Sequence, residues 1–157
     1  MAELLKSEGG LSVPMEESAP GSVLMPFSGD IAYSDMVAAM LPLLKFQTKS
    51  LTLFHVIETP ISAPLDTAEM KDLFAAAEIR IKPLADWLAK QGYRVQIKIA
   101  AARHVKDAIV EEAHGCRYSM LFMMKRRKRR GVRSHFLRSV TEEVIRRVEC
   151  PVVTVLV

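Results

Sequence analysis

Six consecutive cations, Lys125-Arg126-Arg127-Lys128-Arg129-Arg130, form the run with the most pointed chemistry in this 157-residue chain. With Arg133 and Arg138 the stretch from Lys125 to Arg138 holds eight Lys or Arg and no acid. Clustered cations bind phosphate-bearing polyanions by releasing their condensed counterions, so the run points to nucleic acid, anionic lipid or an acidic protein partner. The plain alternative is a solvated surface loop, although side-by-side cations repel and are ordinarily diluted by acids. The formal net charge is only +4, so the chain outside this stretch is net acidic and its basicity is local. No aromatic residue precedes Phe136 in the loop and no recognition helix is evident, which argues against readout of base sequence.

Other chemistry is harder to assemble. His55, His104, His114 and His135 stand at no metal-ligand spacing, so structural or surface roles are expected, and His135 is set apart only by lying in the basic loop. Cys116 and Cys150 form no CxxC, which argues against a zinc site or disulfide framework and for a reduced, cytoplasmic setting. Cys150 reads as a small buried residue, and methionines such as Met120, Met123 and Met124 as core fillers. There is no GxSxG elbow, P-loop or HExxH. The acid pairs Glu111/Glu112 and Glu142/Glu143 lie side by side on predicted helices and do not converge on one point. No catalytic residue and no metal ligand is assigned, and no enzyme activity is expected.

The elements that must position the basic run follow from periodicity. Half the residues are hydrophobic and a quarter charged, the profile of a globular chain long enough to bury a core. The start, MAELLKSEGG, lacks the basic, apolar pattern of a secretory signal. The longest apolar runs fall well short of the ~20 residues of a membrane-spanning helix, so no transmembrane segment is expected. Positions 1–21 lack sustained periodicity and read as a flexible extension, leaving 22–157 as the folded domain.

Val23 to Phe27 is a buried strand ended by Ser28-Gly29-Asp30, and Ser34 is placed to cap a helix that runs to about Gln47 with a kink at Pro42. Leu51 to Ile57 is a second strand. Asp66 with Glu69 opens a helix whose stripe is Met70, Leu73, Phe74, Ala77, Ile81, Leu84 and Leu88, ended by Gly92. Tyr93 to Ile99 alternates apolar with polar residues, as a strand near a sheet edge would. A third helix spans about Val105 to His114, buries Val105, Ala108, Ile109 and Ala113, and is closed by Gly115. Tyr118 to Met124 is a strand apolar on both faces. Ser139 with Glu142 forms a capping box for a last helix with the stripe Val140, Val144, Ile145 and Val148, its outer face pairing Glu142 with Arg146 and Glu143 with Arg147. After Cys150-Pro151, Val152 to Val157 is a final strand.

Strands alternating with helices in this way predict an α/β domain with a five-stranded, mostly parallel sheet flanked by helices on both faces. Ligands of such sheets bind beyond the carboxyl ends of the strands where the strand order reverses, so the segments 28–33 and 125–138 are where a site is expected.

At the residue level the stretch from Leu137 to Val153, LRSVTEEVIRRVECPVV, is similar to the closing helix and strand of the universal stress proteins. Val23-Leu24-Met25-Pro26-Phe27 resembles that family's first strand and Leu53-Phe54-His55-Val56 its second, so the resemblance covers about residues 22–157. It implies a Rossmann-related fold, a role in the stress response, and a homodimer in which the terminal strand 151–157 pairs across a two-fold axis. An inner strand, paired on both sides within one subunit, is the alternative for that segment.

Nucleotide-binding members carry an Asp after the first strand and a motif G-2x-G-9x-G-[ST] after the fourth. Aligned back from Ser139, the three glycine positions here become Lys125, Lys128 and Arg138, the Asp position becomes Ser28, and only Ser139 keeps its type. Glycine lets backbone N–H groups approach a phosphate closely and tolerates positive φ, where a side chain costs ~1–2 kcal/mol. The resemblance therefore implies a degenerate site with no cofactor, poor ATP binding and a residual anion site around Ser28, Lys125, Lys128, Arg138 and Ser139. Two further readings stay open. Lys125, Lys128 and Arg138 could replace backbone donors and retain a nucleotide. Alternatively Arg126, Arg127, Arg129, Arg130 and Arg133 could anchor nucleic acid or an anionic membrane surface.

Overall fold

A computed structural model describes residues 5–6, 22–27, 32–41, 49–63, 68–114, 118–125 and 140–157. The elements in chain order are β1 (Leu5–Lys6), β2 (Val23–Phe27), α1 (Tyr33–Met40), β3 (Ser50–Glu58), α2 (Ala68–Lys90), β4 (Arg94–Ala102), α3 (Val105–Ala113), β5 (Met120–Lys125), α4 (Val140–Arg147) and β6 (Val152–Leu156). They form one sheet in the order β1-β4-β3-β2-β5-β6. The five strands β2 to β6 are parallel, as the alternation of strands and helices predicts. The two-residue β1 is antiparallel to β4, with Leu5 opposite Ala101 and Lys6 opposite Ala100. Regular structure was not expected there, and the gain is physical: β1 satisfies backbone groups on the outer side of β4. The other residues of 1–21 lie outside the described residues.

The central strands are apolar on both faces because both faces are covered. Val23, Met25 and Phe27 of β2, Leu51 and Leu53 of β3 and Phe122 of β5 pack against Met36 and Met40 of α1 and Ile81, Leu84 and Leu88 of α2. Their neighbours Leu24, Phe54, Val56, Leu121 and Met123 point the other way, onto Ala108 and Ile109 of α3 and Val144 of α4. The alternation of side chains along each strand thus divides one sequence run between two cores.

Local details depart from expectation in instructive ways. Helix α1 is capped at Ala32, with no side-chain bond, so Ser34 lies inside the first turn and is not the cap. Instead, the backbone N–H groups of Asp35 and Met36 both donate to the Ala32 carbonyl at 3.1 Å. Helix α2 continues through Pro83, an exposed position. Leu73 is 48% exposed and does not share the buried stripe of Met70, Ala77, Ile81, Leu84 and Leu88. Gly92 follows at φ 90°, the left-handed turn that ends α2 at little cost only for a residue without Cβ. Val105 is half-buried beside the buried Ala108, Ile109 and Ala113. In α4 the buried residues are Thr141 and Val144, whereas Val140 and Ile145 are 42% and 45% exposed. Pro42, Asp66, Gly115 and the Ser139 half of the capping box lie outside the described residues.

Strand β6 pairs with β5 and, among the described residues, with nothing else, so it is a sheet edge and not an inner strand. No helix is long and apolar enough to cross a membrane, among the described residues.

Candidate functional site at the strand-order reversal

From β2 the chain builds outward through β3 to β4, then returns to the far side of β2 with β5 and β6. The reversal lies between β2 and β5, whose carboxyl ends are Phe27 and Lys125. These two strands share the register pairs Val23–Met120 and Leu24–Leu121 only. Pro26, farther along β2, has no N–H with which to extend a ladder. Among the parallel strands the pairing is therefore shortest where a ligand of this fold class would enter.

The β2 side of the crevice is fixed by His55 of β3. Its Nδ1 donates to the Phe27 carbonyl at 2.9 Å, and the two rings meet edge to face with centroids 5.8 Å apart. Burial pushes the imidazole pKa below its ordinary value; the Phe27 hydrogen bond works against that, and the Arg80 charge adds to it. His55 is thus a neutral, satisfied strut, in keeping with the structural role read from sequence.

On the β5 side, Lys125 is tied at both ends. Its carbonyl accepts the Val157 N–H at 2.9 Å, and its Nζ lies 2.9 Å from Glu142 Oε1 in the first turn of α4. The neighbouring acids and bases of α4 also reach outward. Glu143 Oε2 meets Lys106 Nζ at 2.6 Å, and Arg147 donates to Asp107 Oδ1 at 2.5 Å. The expected pairing of Glu142 with Arg146 and Glu143 with Arg147 along one helix face is corrected accordingly, since partners on β5 and α3 stand closer. The Arg147 hydrogen bond holds the Asp107 carboxyl below the usual carboxylate range, with burial opposing it and the Arg147 charge adding to it.

Of the residues proposed for the site, Lys125 is the one that the described residues include. Ser28, Lys128, Arg138 and Ser139 lie outside them, as do Arg126, Arg127, Arg129, Arg130, Arg133 and His135. His104 and His114 stand at the two caps of α3. Cys150 is half-buried. Among the described residues no three His, Cys, Asp or Glu stand close enough to hold a metal ion.

One cluster went unread in the sequence. Glu112 of α3 is only 6% exposed, and its Oε1 accepts from both Lys98 Nζ at 2.6 Å and Tyr118 Oη at 2.5 Å. Burial works to lower the Lys98 pKa, but the bond to and charge of Glu112, helped by Tyr118, hold it above its ordinary value. The available signal was phase. Glu112 falls with Ala108, Ile109 and Ala113 on the buried side of α3, where a lone carboxylate demands a partner. The cluster lies beside the amino end of β5, away from Lys125, and joins β4, α3 and the entry to β5.

Residues 22–155 match the model of the universal stress protein family. Among solved structures, the hypothetical protein PH0823 is 20% identical with a TM-score of 0.63, covering 86% of this chain and 95% of its own. A universal stress protein in complex with cAMP is 17% identical with a TM-score of 0.61, covering 88% of this chain and 98% of its own. A universal stress protein family protein from Arabidopsis thaliana with AMP bound is 19% identical with a TM-score of 0.59, covering 87% and 92%. At these identities the likeness is one of fold. No curated protein matches the sequence.

Proposed function

The chain belongs to the universal stress protein family, and from that premise we propose that it is a non-catalytic, cytoplasmic stress-response module that binds an anion or acidic partner at the strand-order reversal and binds ATP poorly. The observation that carries this reading is Lys125. It closes β5 at the crevice, where the resemblance puts the first glycine of a phosphate loop, and its ammonium is engaged by Glu142. A side chain at that point supplies charge to a phosphate but not the close backbone approach that a glycine permits. Calorimetric titration with ATP and with tripolyphosphate is the test. ATP is expected to bind no more tightly than tripolyphosphate, because adenosine adds nothing. An ATP affinity roughly tenfold or more above that of tripolyphosphate would sink the reading.

A second reading keeps a nucleotide in the site, and the neighbours solved with cAMP and with AMP favour it. Nucleotide retained through purification and identified by mass spectrometry would support it. The outer edge of β6, uncovered among the described residues, supports a homodimer through residues 151–157, since a second copy of the same strand can satisfy its backbone groups.

A further inference from the structure

Strand β4 protects its outer edge differently along its length. The first part carries Arg94 and Lys98 with Gln96 between them, and charge on an edge strand discourages pairing with another chain. The segment 99–102, Ile-Ala-Ala-Ala, carries none. It is there, and among the described residues only there, that β1 pairs, with Leu5 opposite Ala101 and Lys6 opposite Ala100. The covering strand thus falls on the stretch of β4 that its own side chains leave unguarded. With two residues β1 makes few hydrogen bonds, so a longer strand can take its place.

A strand that fits lies at the opposite end of the sheet. β6 is five residues long, reads Val-Val-Thr-Val-Leu, and among the described residues pairs only with β5. Laid beside 99–102 it meets no charge, whereas beside 94–98 its apolar side chains would stand against Arg94 and Lys98. We propose that the β4 segment 99–102 is a strand-docking surface for β6 of a second copy, and that β1 is the autoinhibitory contact that closes it. Such a contact sets one edge of each copy against the other edge of the next, so it is heterologous and repeats along a chain. It satisfies both edges of every inner copy, while β6 paired with β6 leaves each β4 open once β1 is gone. Mass action then favours the chain as concentration rises. The inference goes beyond the homodimer proposed above and takes it only as the starting state of the parent.

The test is sedimentation equilibrium on the parent, on a variant with residues 1–6 deleted, and on L5P/K6P, from about 10 to about 300 µM. Of two successive residues one turns its N–H to the partner strand, so the double proline removes a ladder donor while keeping the chain length. The parent is expected to level off at the dimer. Both variants are expected to pass it, reaching roughly twice the parent's average mass or more at the highest concentration, and to return on dilution. Adding T154K/L156K to the deletion variant is expected to abolish this growth, because it charges the strand that docks. Masses that match the parent's in both variants would overturn the proposal. Growth that persists with T154K/L156K overturns it too, since β6 is then not the occupant, and so does growth that dilution fails to reverse, the mark of unfolded chains aggregating. A monomeric parent defeats the homodimer reading alone, and the comparison of variants with parent still decides this one.

Discussion

The two edges of the sheet expose the same backbone groups and treat them in opposite ways. At one edge β4 runs nine residues, with Arg94, Gln96 and Lys98 alternating against Val95, Ile97 and Ile99, and β1 covers Ala100 and Ala101. At the other, β6 reads Val-Val-Thr-Val-Leu, carries no charge, and leaves Leu156 54% exposed. Charged side chains and a short covering strand are the usual means of keeping an edge from pairing with another chain. Only β4 has them. The difference teaches that β4 carries the devices that discourage association, whereas β6, among the described residues, carries neither.

The largest expected effect breaks that contrast directly. Thr154 and Leu156 are both exposed, so T154K/L156K brings like charges onto the β6 edge without disturbing a buried side chain. Light scattering after size exclusion should show the parent as a dimer and this variant as a monomer at the same concentration. A monomeric parent, or a variant that remains dimeric, would show that β6 is not the pairing edge.

The next effect falls on β4. Lys98 points a charge into the layer between sheet and α3, and Glu112 is what makes it tolerable. Glu112→Ala removes the shared acceptor of Lys98 and Tyr118, at an expected cost of about 2–3 kcal/mol, below that of a fully buried pair because Lys98 remains a quarter exposed. Urea denaturation with the slope held as a control for two-state behaviour measures it. The double variant K98M/E112L should recover most of the loss, since an apolar pair of similar volume leaves no uncompensated charge. A Glu112→Ala cost under about 0.5 kcal/mol would show that the cluster does not brace this edge.

These two edges also mark what was legible beforehand. Runs such as Val23 to Phe27 and Leu51 to Ile57 declare themselves because each carries apolar residues for two covered faces, and the observed strands agree with them to within a residue at each end. The apolar, uncharged β6 fits an edge or an inner strand alike, and the strand order decides for an edge among the described residues. Errors arose where residue type was mistaken for phase. Val140 and Ile145 are apolar but flank the buried line of α4, whose centre is held by Thr141 and Val144. Ser34 has the chemistry of a cap, yet the chain turns two residues earlier, at Ala32. The Lys98–Glu112 pair joins a strand to a helix 14 residues on, and no local pattern announces a contact that only packing creates. Within the candidate site, Lys125 reads as the first residue of the basic loop but closes β5, and its bond to Glu142 depends on how α4 returns to the sheet.

The smallest expected effect separates the edges by pH. Lys98 has a folded pKa raised above the unfolded value, so its ammonium form stabilises the fold fully below about pH 10.5 and this contribution is lost as pH rises through the folded pKa. Stability should thus be flat with respect to this group near neutrality and decline in alkali. Tyr93, whose pKa burial also raises, adds a decline of the same sign in that range. Comparison with K98M isolates the lysine, and a difference of no more than about 1 kcal/mol is expected for a group a quarter exposed. The β6 strand contains no ionisable side chain, so pairing through it should not follow the same titration. Urea midpoints and dimer mass measured together from pH 8.5 to about 11 check both halves. Parallel losses of stability and of dimer would tie the two edges into one cooperative unit, whereas loss of stability alone in the parent, absent in K98M, would assign the alkaline response to the β4 edge.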